Sequence, residues 1–377
     1  MTVDLITVGR VSLDLFARDI GAEFHNITAF ETGVGGSPVN IAIGASRLGL
    51  KAIAFTAVGD DEVGRFVRQF LRNEKVNTEF IPVKAGRRTG MAVVGVQPPD
   101  RFPLLFYREN PADIHLTIED AKKLPLEEAR ALSLSGTALS HGGAHDVTLF
   151  LAEGASSREI MTFIDLDLRP DQWSHPLAFG LRARRIMPLC DVIIGTEEEF
   201  YAALSPRPEA VMAGEKVTNM GDLHKRLRDC AGEHDALLVL KRGDRGARLY
   251  LNGTQLDAPG YPVEIVNTVG AGDGFASGFI YGWSQGWGWE AAARFANACG
   301  ALVVSRHGCA RALPYRSEVE AFMEKRGGAK HESSSQVELQ SDDRTRCQAR
   351  NSELALPLVS HSQSRSTTSI HPSYRED

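Results

Sequence analysis

The chain has 377 residues, 43% of them hydrophobic and 24% charged, with a net charge of −6. That is enough apolar sequence for one large or two small domains, and the negative balance excludes a global basic field that would draw nucleic acid or an anionic membrane. The five cysteines form no C-x-x-C pair and residues 1–9 lack the basic and apolar regions of a secretion signal, so a soluble protein of a reducing cytoplasm is expected.

Short β-branched runs alternate with helical stretches, the pattern of βα units around a mostly parallel sheet. Residues 5–8 read as a first strand ending at Gly9. Residues 40–50 read as a helix closed by Gly49, and residues 52–58 as the next strand. Residues 63–75 carry Val63, Phe66, Val67, Phe70 and Leu71 at helical spacing. Segments 90–97 and 104–108 read as two strands joined by a Pro-rich turn, inserted between βα units as a small β lid would be. Further strands are expected at 160–166, 192–194 and 237–240, then a hairpin strand at 247–250 turning at Asn252-Gly253. The most apolar stretch, 274–304, is interrupted by Glu290, Arg294 and Asn297, which argues against a membrane span. From Gly327 onward the chain is rich in Ser, Gln, Arg and His without a sustained period. The reading is a body over residues 1–325 and a disordered tail over 326–377, with a docking peptide as the alternative for the tail.

The most informative run is Asn267-Thr268-Val269-Gly270-Ala271-Gly272-Asp273-Gly274-Phe275, followed by a helix-compatible segment at 275–283. Glycines and small residues let successive backbone N–H groups converge, and a helix N-terminus adds its own unsatisfied N–H groups and dipole, which together suit a phosphate. A carboxylate repels such a ligand, so Asp273 makes sense as the group that takes a proton from a hydroxyl attacking that phosphate. The bland alternative is a glycine turn with Asp273 as helix N-cap.

Gly33-Val34-Gly35-Gly36-Ser37-Pro38-Val39-Asn40 would let backbone approach a polyhydroxyl ligand, with the Asn40 amide able to donate to and accept from hydroxyls. Asp14 lies just beyond the first strand, where α/β sheets place ligands. Arg108 and Arg169 each close a predicted strand, and a guanidinium fork binds carboxylate in bidentate fashion, so the pair suits an acidic sugar; surface ion pairing is the alternative for each. Thr196-Glu197-Glu198-Glu199 offers carboxylates that can hold Mg²⁺ through its water shell, or an acidic first turn that suits a helix dipole. Lys241-Arg242-Gly243-Asp244-Arg245-Gly246 is a turn between strands whose glycines let backbone approach a nucleotide.

Taken in order, these pieces resemble the ribokinase-like (PfkB) family of sugar kinases over residues 3–322. Gly35-Gly36 with Asn40 is similar to the family's N-terminal motif, and Gly270-Ala271-Gly272-Asp273 to its more specific C-terminal motif. The resemblance implies a doubly wound α/β/α sandwich with a small β-sheet lid, its strands within about 10–35 and 88–112. It implies ATP and Mg²⁺ as cofactors, Asp273 as base, and the Gly270, Ala271 and Gly272 amides as the anion hole. It places Asp14, Gly35, Gly36, Asn40, Arg108 and Arg169 on the sugar, Lys241, Gly243, Gly246 and Asn297 on ATP, and Glu199 with Glu198 on Mg²⁺-bound water.

Within the family the segments 36–40, 106–113, 195–200 and 241–243 look most like the inositol-catabolism subgroup, which phosphorylates the 6-hydroxyl of a six-carbon keto acid. Kinases of 2-dehydro-3-deoxygluconate are the alternative. A homodimer through the lid is a further implication. Two positions depart from the commoner family pattern, which has Asp at Asn267 and Asn at Thr196; both departures look like marks of the subgroup. Outside catalysis, a sugar- or nucleotide-binding protein without turnover is the competing class, and a nucleoside kinase is a third, disfavoured by the paired arginines.

Overall fold

The computed structural model describes residues 2–234, 236–251 and 253–326. The expected tail, apart from Arg326, and Asn252 of the expected hairpin turn lie outside the described residues. The strands are β1 (Val3–Val8), β2 (Ser12–Ala17), β3 (Phe30–Gly35), β4 (Ala52–Phe55), β5 (Val58–Gly59), β6 (Val83–Lys84) and β7 (Gly90–Val94). They continue with β8 (Leu104–Tyr107), β9 (Ala129–Ser135), β10 (Met161–Asp165), β11 (Val192–Thr196), β12 (Leu237–Lys241), β13 (Ala247–Leu251) and β14 (Thr254–Ala258).

Eight of these strands form one sheet in the order β14-β13-β12-β11-β10-β9-β1-β4. Its pairings are parallel from β4 to β12 and antiparallel at β13 and β14. Side chains along a strand alternate faces, and here the two faces feed two separate cores. Leu5, Ala52, Phe163, Val192 and Val239 pack on one side with helices Ser37–Leu48, Glu62–Asn73, Ala271–Ser284 and Trp289–Val304. Ile6, Ile53, Ile164, Ile193 and Leu238 pack on the other with helices Gly142–Ser156, Pro176–Ile186, Glu197–Leu204 and Met220–His234. Both faces are therefore covered, as a parallel sheet requires, and the architecture is the expected α/β/α sandwich. Among the described residues no helix is long and apolar enough to cross a membrane.

A second sheet, in the order β3-β2-β7-β8, stands apart from the first. Its outer face carries Leu13, Leu15, Met91, Val93, Leu105 and Tyr107, brought into line by the register. The expected strand over 52–58 divides, because Val58 leaves the main sheet and pairs with Val83. The helix expected at 40–50 begins earlier, at Ser37, with Gly36 as N-cap and Pro38 in its first turn, where proline's fixed φ and missing N–H are tolerated.

Candidate active site

The parallel strands end side by side. Register sets Asp165 beside Ile194 and Thr196 beside Lys241, so Asp165, Thr196 and Lys241 share the carboxyl edge of the sheet. The Lys241 ammonium bridges both oxygens of Asp165 at 3.1 and 2.9 Å, with Glu199 at 3.7 Å. Burial pulls the lysine down, but Asp165 and then Glu199 outweigh it and hold the ammonium above its ordinary range. Burial pushes Asp165 up to about 7 against the pull of Lys241.

The helix Ala271–Ser284 begins beside this ammonium: a Cβ on Gly272 would lie 3.2 Å from Lys241 Nζ. Gly270 is the N-cap, with φ +88°, and no side chain caps the helix. A side chain at Gly270 is excluded twice, by that left-handed backbone and because its Cβ would meet Cys309 Sγ at 2.4 Å. Asp273 is thus not the N-cap; it occupies the third helical position, and its Oδ2 accepts from Asn40 Nδ2 at 2.7 Å. Burial, then the nearby Asp167 carboxylate, push the Asp273 carboxyl above the ordinary carboxylate range, while Asn40 and Arg169 pull it back. An uncapped helix start, an adjacent ammonium and a carboxylate of raised basicity therefore meet at one point.

Asn40 comes from the helix Ser37–Leu48 and is buried; its Nδ2 also donates to Cys309 Sγ at 3.1 Å, while its Oδ1 has no partner among the described residues. An unpaired buried amide oxygen is costly unless a donor reaches it. Asp14, on β2, accepts from Ser12 Oγ at 2.6 Å and is buried, which pushes its pKa to about 6. Gly35 faces it so closely that a Cβ there would stand 1.8 Å from Asp14 Oδ2.

The two arginines singled out from sequence differ. Arg108 closes its fork on Asp113 at 3.0 and 2.8 Å and also donates to Val11 O at 3.0 Å, so its geometry is that of a tie between β8 and the start of β2. Arg169 contacts Asp167 at 2.9 Å, and its Nε is buried without a partner among the described residues. Asp167 also accepts from Ser135 and Thr137 at 3.1 Å each, and faces Arg10 at 3.8 Å. Arg10 was not singled out from sequence, nor was Asp165.

Thr196 and Glu199 form a capping box: Thr196 Oγ1 accepts from Glu199 N at 3.2 Å and Glu199 Oε2 accepts from Thr196 N at 2.7 Å. Glu199 Oε1 accepts from Leu168 N at 3.1 Å, and Glu198 is half-buried beside it. The acidic first turn thus has the capping role as well as facing Lys241, and the hydroxyl at position 196 serves as cap. Among the described residues no group of three His, Cys, Asp or Glu side chains converges as a metal centre. Asn267 is fully buried; its amide donates to Gly308 O at 2.7 Å and its Oδ1 accepts from Val269 N at 3.0 Å, so it braces the glycine run from behind. Asn297 is likewise committed to backbone, its Nδ2 donating to Ala258 O and Pro259 O at 3.0 Å each. Gly243 and Gly246 lie in the turn after β12, where Gly246 N donates to Gly243 O at 3.0 Å.

Comparisons place this geometry among known proteins. Residues 3–316 match the family described as pfkB family carbohydrate kinase. A 5-dehydro-2-deoxygluconokinase of Bacillus anthracis is 35% identical over 323 residues, 85% of this chain and 95% of that protein. Another of that name from Geobacillus thermodenitrificans is 34% identical over 324 residues, 85% of this chain and 93% of that protein. Among solved structures, a putative ribokinase II from E. coli in complex with ATP and Mg²⁺ is 23% identical and matches with a TM-score of 0.72 over 86% of this chain and 99% of that one.

Proposed function

This chain belongs to the pfkB family of carbohydrate kinases, and from that premise we propose that it moves the γ-phosphoryl group of ATP to the 6-hydroxyl of 5-dehydro-2-deoxygluconate. The observation that carries the chemistry is the position of Asp273, in the first turn of an uncapped helix and 2.7 Å from the Asn40 amide. The substrate reading is supported by the relatives of that name, which this chain matches over nearly their whole length.

The residues fit a triphosphate. The N–H groups at Gly270, Ala271 and Gly272 lie at the uncapped helix start, where they would meet an anion (Ala271 N also donates to Thr268 O at 3.2 Å), and Lys241 adds a positive charge beside them. The fit for Mg²⁺ is through water: Glu199 already accepts two backbone N–H groups, so Glu198 and Glu199 would hold the ion's water shell, which is how this small hydrated ion is often held. Bound there, Mg²⁺ would balance charge on the phosphate oxygens. Asp273 takes the proton of the attacking hydroxyl, whose oxygen bonds to the γ-phosphorus as the bond to ADP breaks. Asn40 holds the carboxylate of Asp273 with one edge of its amide and presents its free Oδ1 to the sugar. Asp14 takes sugar hydroxyls beside Gly35 and Gly36, and the smaller sheet closes as a lid that excludes water. We place the enzyme in the cytoplasm, in keeping with the buried thiols of Cys190, Cys299 and Cys309, and read the apolar outer face of the lid as the contact of a homodimer.

Coupled ADP release with Mg-ATP tests this reading against 5-dehydro-2-deoxygluconate, 2-dehydro-3-deoxygluconate, ribose, fructose and adenosine. Preference for the first is expected. Preference for the second would keep the mechanism and overturn the substrate; no ADP from any, with ATP bound, would favour a binding protein without turnover.

A further inference from the structure

Arg10 sits in the short link between β1 and β2, with its side chain 7% exposed. Its guanidinium carbon stands 5.1 Å from the centroid of the Phe106 ring, a cation–π contact that fixes its plane. No described residue accepts a hydrogen bond from it, and its Nε is fully enclosed without a partner. The nearest acid, Asp167, is 3.8 Å away, already pairs with Arg169 and accepts from Ser135 and Thr137. A buried guanidinium with an unused fork is expensive. The surroundings agree: burial lowers its pKa, and Arg169 and Arg108 add to that effect against the opposing pull of Asp167 and Asp14.

Its neighbours set the chemistry of what it can bind. Arg10 faces Asp14 and Phe106, on the side of the smaller sheet, whereas Lys241 and Gly272 mark the phosphate end at the larger sheet. Arg169, which shares Asp167 with Arg10, offers a second enclosed Nε. Arg108 already spends three of its five N–H donors on Asp113 and Val11 O.

We infer that Arg10, assisted by Arg169, takes the carboxylate of the acidic sugar, and that Arg108 instead holds the wall of the site by its tie to Asp113. This rests on the acidic-sugar reading above. It makes Arg10 the residue that distinguishes an acid from a neutral ketose, because its planar fork gains a partner only when a carboxylate enters.

The test uses Arg10→Gln and Arg10→Lys in the full chain, assayed by ADP release. The substrates are 5-dehydro-2-deoxygluconate and the ketose with a hydroxymethyl group in place of its carboxylate. The expected result for Arg10→Gln is a KM for the acid about 10- to 150-fold higher, the range of a hydrogen bond to a charged group. The KM for Mg-ATP and for the neutral ketose should stay within about twofold of wild type. Arg10→Lys keeps the charge and loses the fork, and should recover only part of the loss; it carries the test if the glutamine variant does not fold. Equal losses on both sugars, or an acid preference that survives both variants, would overturn the Arg10 assignment alone. Wild-type enzyme that uses the neutral ketose as well as the acid would overturn the acidic-sugar reading and this inference together.

Discussion

Replacing Gly35 with alanine tests how the N-terminal glycine motif and Asp14 depend on each other. Gly35 ends β3 opposite Ser12, and its Cβ would stand 1.8 Å from Asp14 Oδ2 and 2.3 Å from Asp14 Cγ. Those distances lie far inside van der Waals contact, so the carboxylate must leave. Asp14 is 5% exposed and holds Ser12 Oγ at 2.6 Å, so rotating it away also breaks that bond in a closed space. Overpacking of this kind costs roughly 1–3 kcal/mol and the lost hydrogen bond about 1 kcal/mol. Gly35→Ala should therefore destabilise by about 2–4 kcal/mol, visible as a fall of several degrees in Tm, and should raise the sugar KM by about tenfold or more as Asp14 is displaced. The assay is a double-mutant cycle on thermal unfolding with Asp14→Ala, which removes the atoms the new methyl would strike. In that background the cost of Gly35→Ala should drop below about 1 kcal/mol. An unchanged cost in both backgrounds, or no cost in either, would refute the reasoning.

Three further outcomes follow from the same geometry. The base must be ionised to accept a proton and burial raises Asp273, so kcat should be lost as pH falls through a value above the ordinary 3.8; a profile flat down to pH 4 would contradict this. Asp14 is raised from 3.8 to about 6, so its ionised form weakens the fold above that pH and the penalty fades as pH falls toward 3.8. Asp14→Asn should accordingly stabilise by up to about 3 kcal/mol near pH 8 and by little near pH 4, measured by denaturant unfolding at both. Asn267→Asp removes the donor to Gly308 O in a fully buried position and should cost about 1–3 kcal/mol in thermal unfolding, although Asp is the commoner family residue there; a more stable variant would refute the bracing role.

The sandwich was legible because its strands are short apolar runs bounded by glycine or by helical periodicity, as at residues 192–194 and 237–240. Strand β9 was not anticipated: Ala129–Ser135 contains no β-branched residue and becomes a strand only because β1 and β10 flank it. In the site, the run from Gly270 to Asp273 announced itself through glycine spacing, and Asn40 through the motif before it. Pairings between distant residues did not. Nothing local marks Asp165 as the partner of Lys241, 76 positions away, or Arg10 as a buried cation with an unused fork. For Arg108 the strand-end position suggests a ligand, and the fold adds a contact that the sequence did not announce, its fork on Asp113 five residues on. The signal available for Arg10 was a charged residue directly after Gly9 in an otherwise apolar entry to β2.

The most direct measurement is turnover by Asp273→Asn against wild type with Mg-ATP and 5-dehydro-2-deoxygluconate, alongside the Kd for Mg-ATP and the Tm. The account predicts a kcat lower by about 10²–10⁴-fold, with the Kd within about threefold and the Tm within a few degrees, since an amide can keep the geometry but cannot take the proton. Turnover near the wild-type rate in a folded, ATP-binding variant would contradict Asp273 as the base.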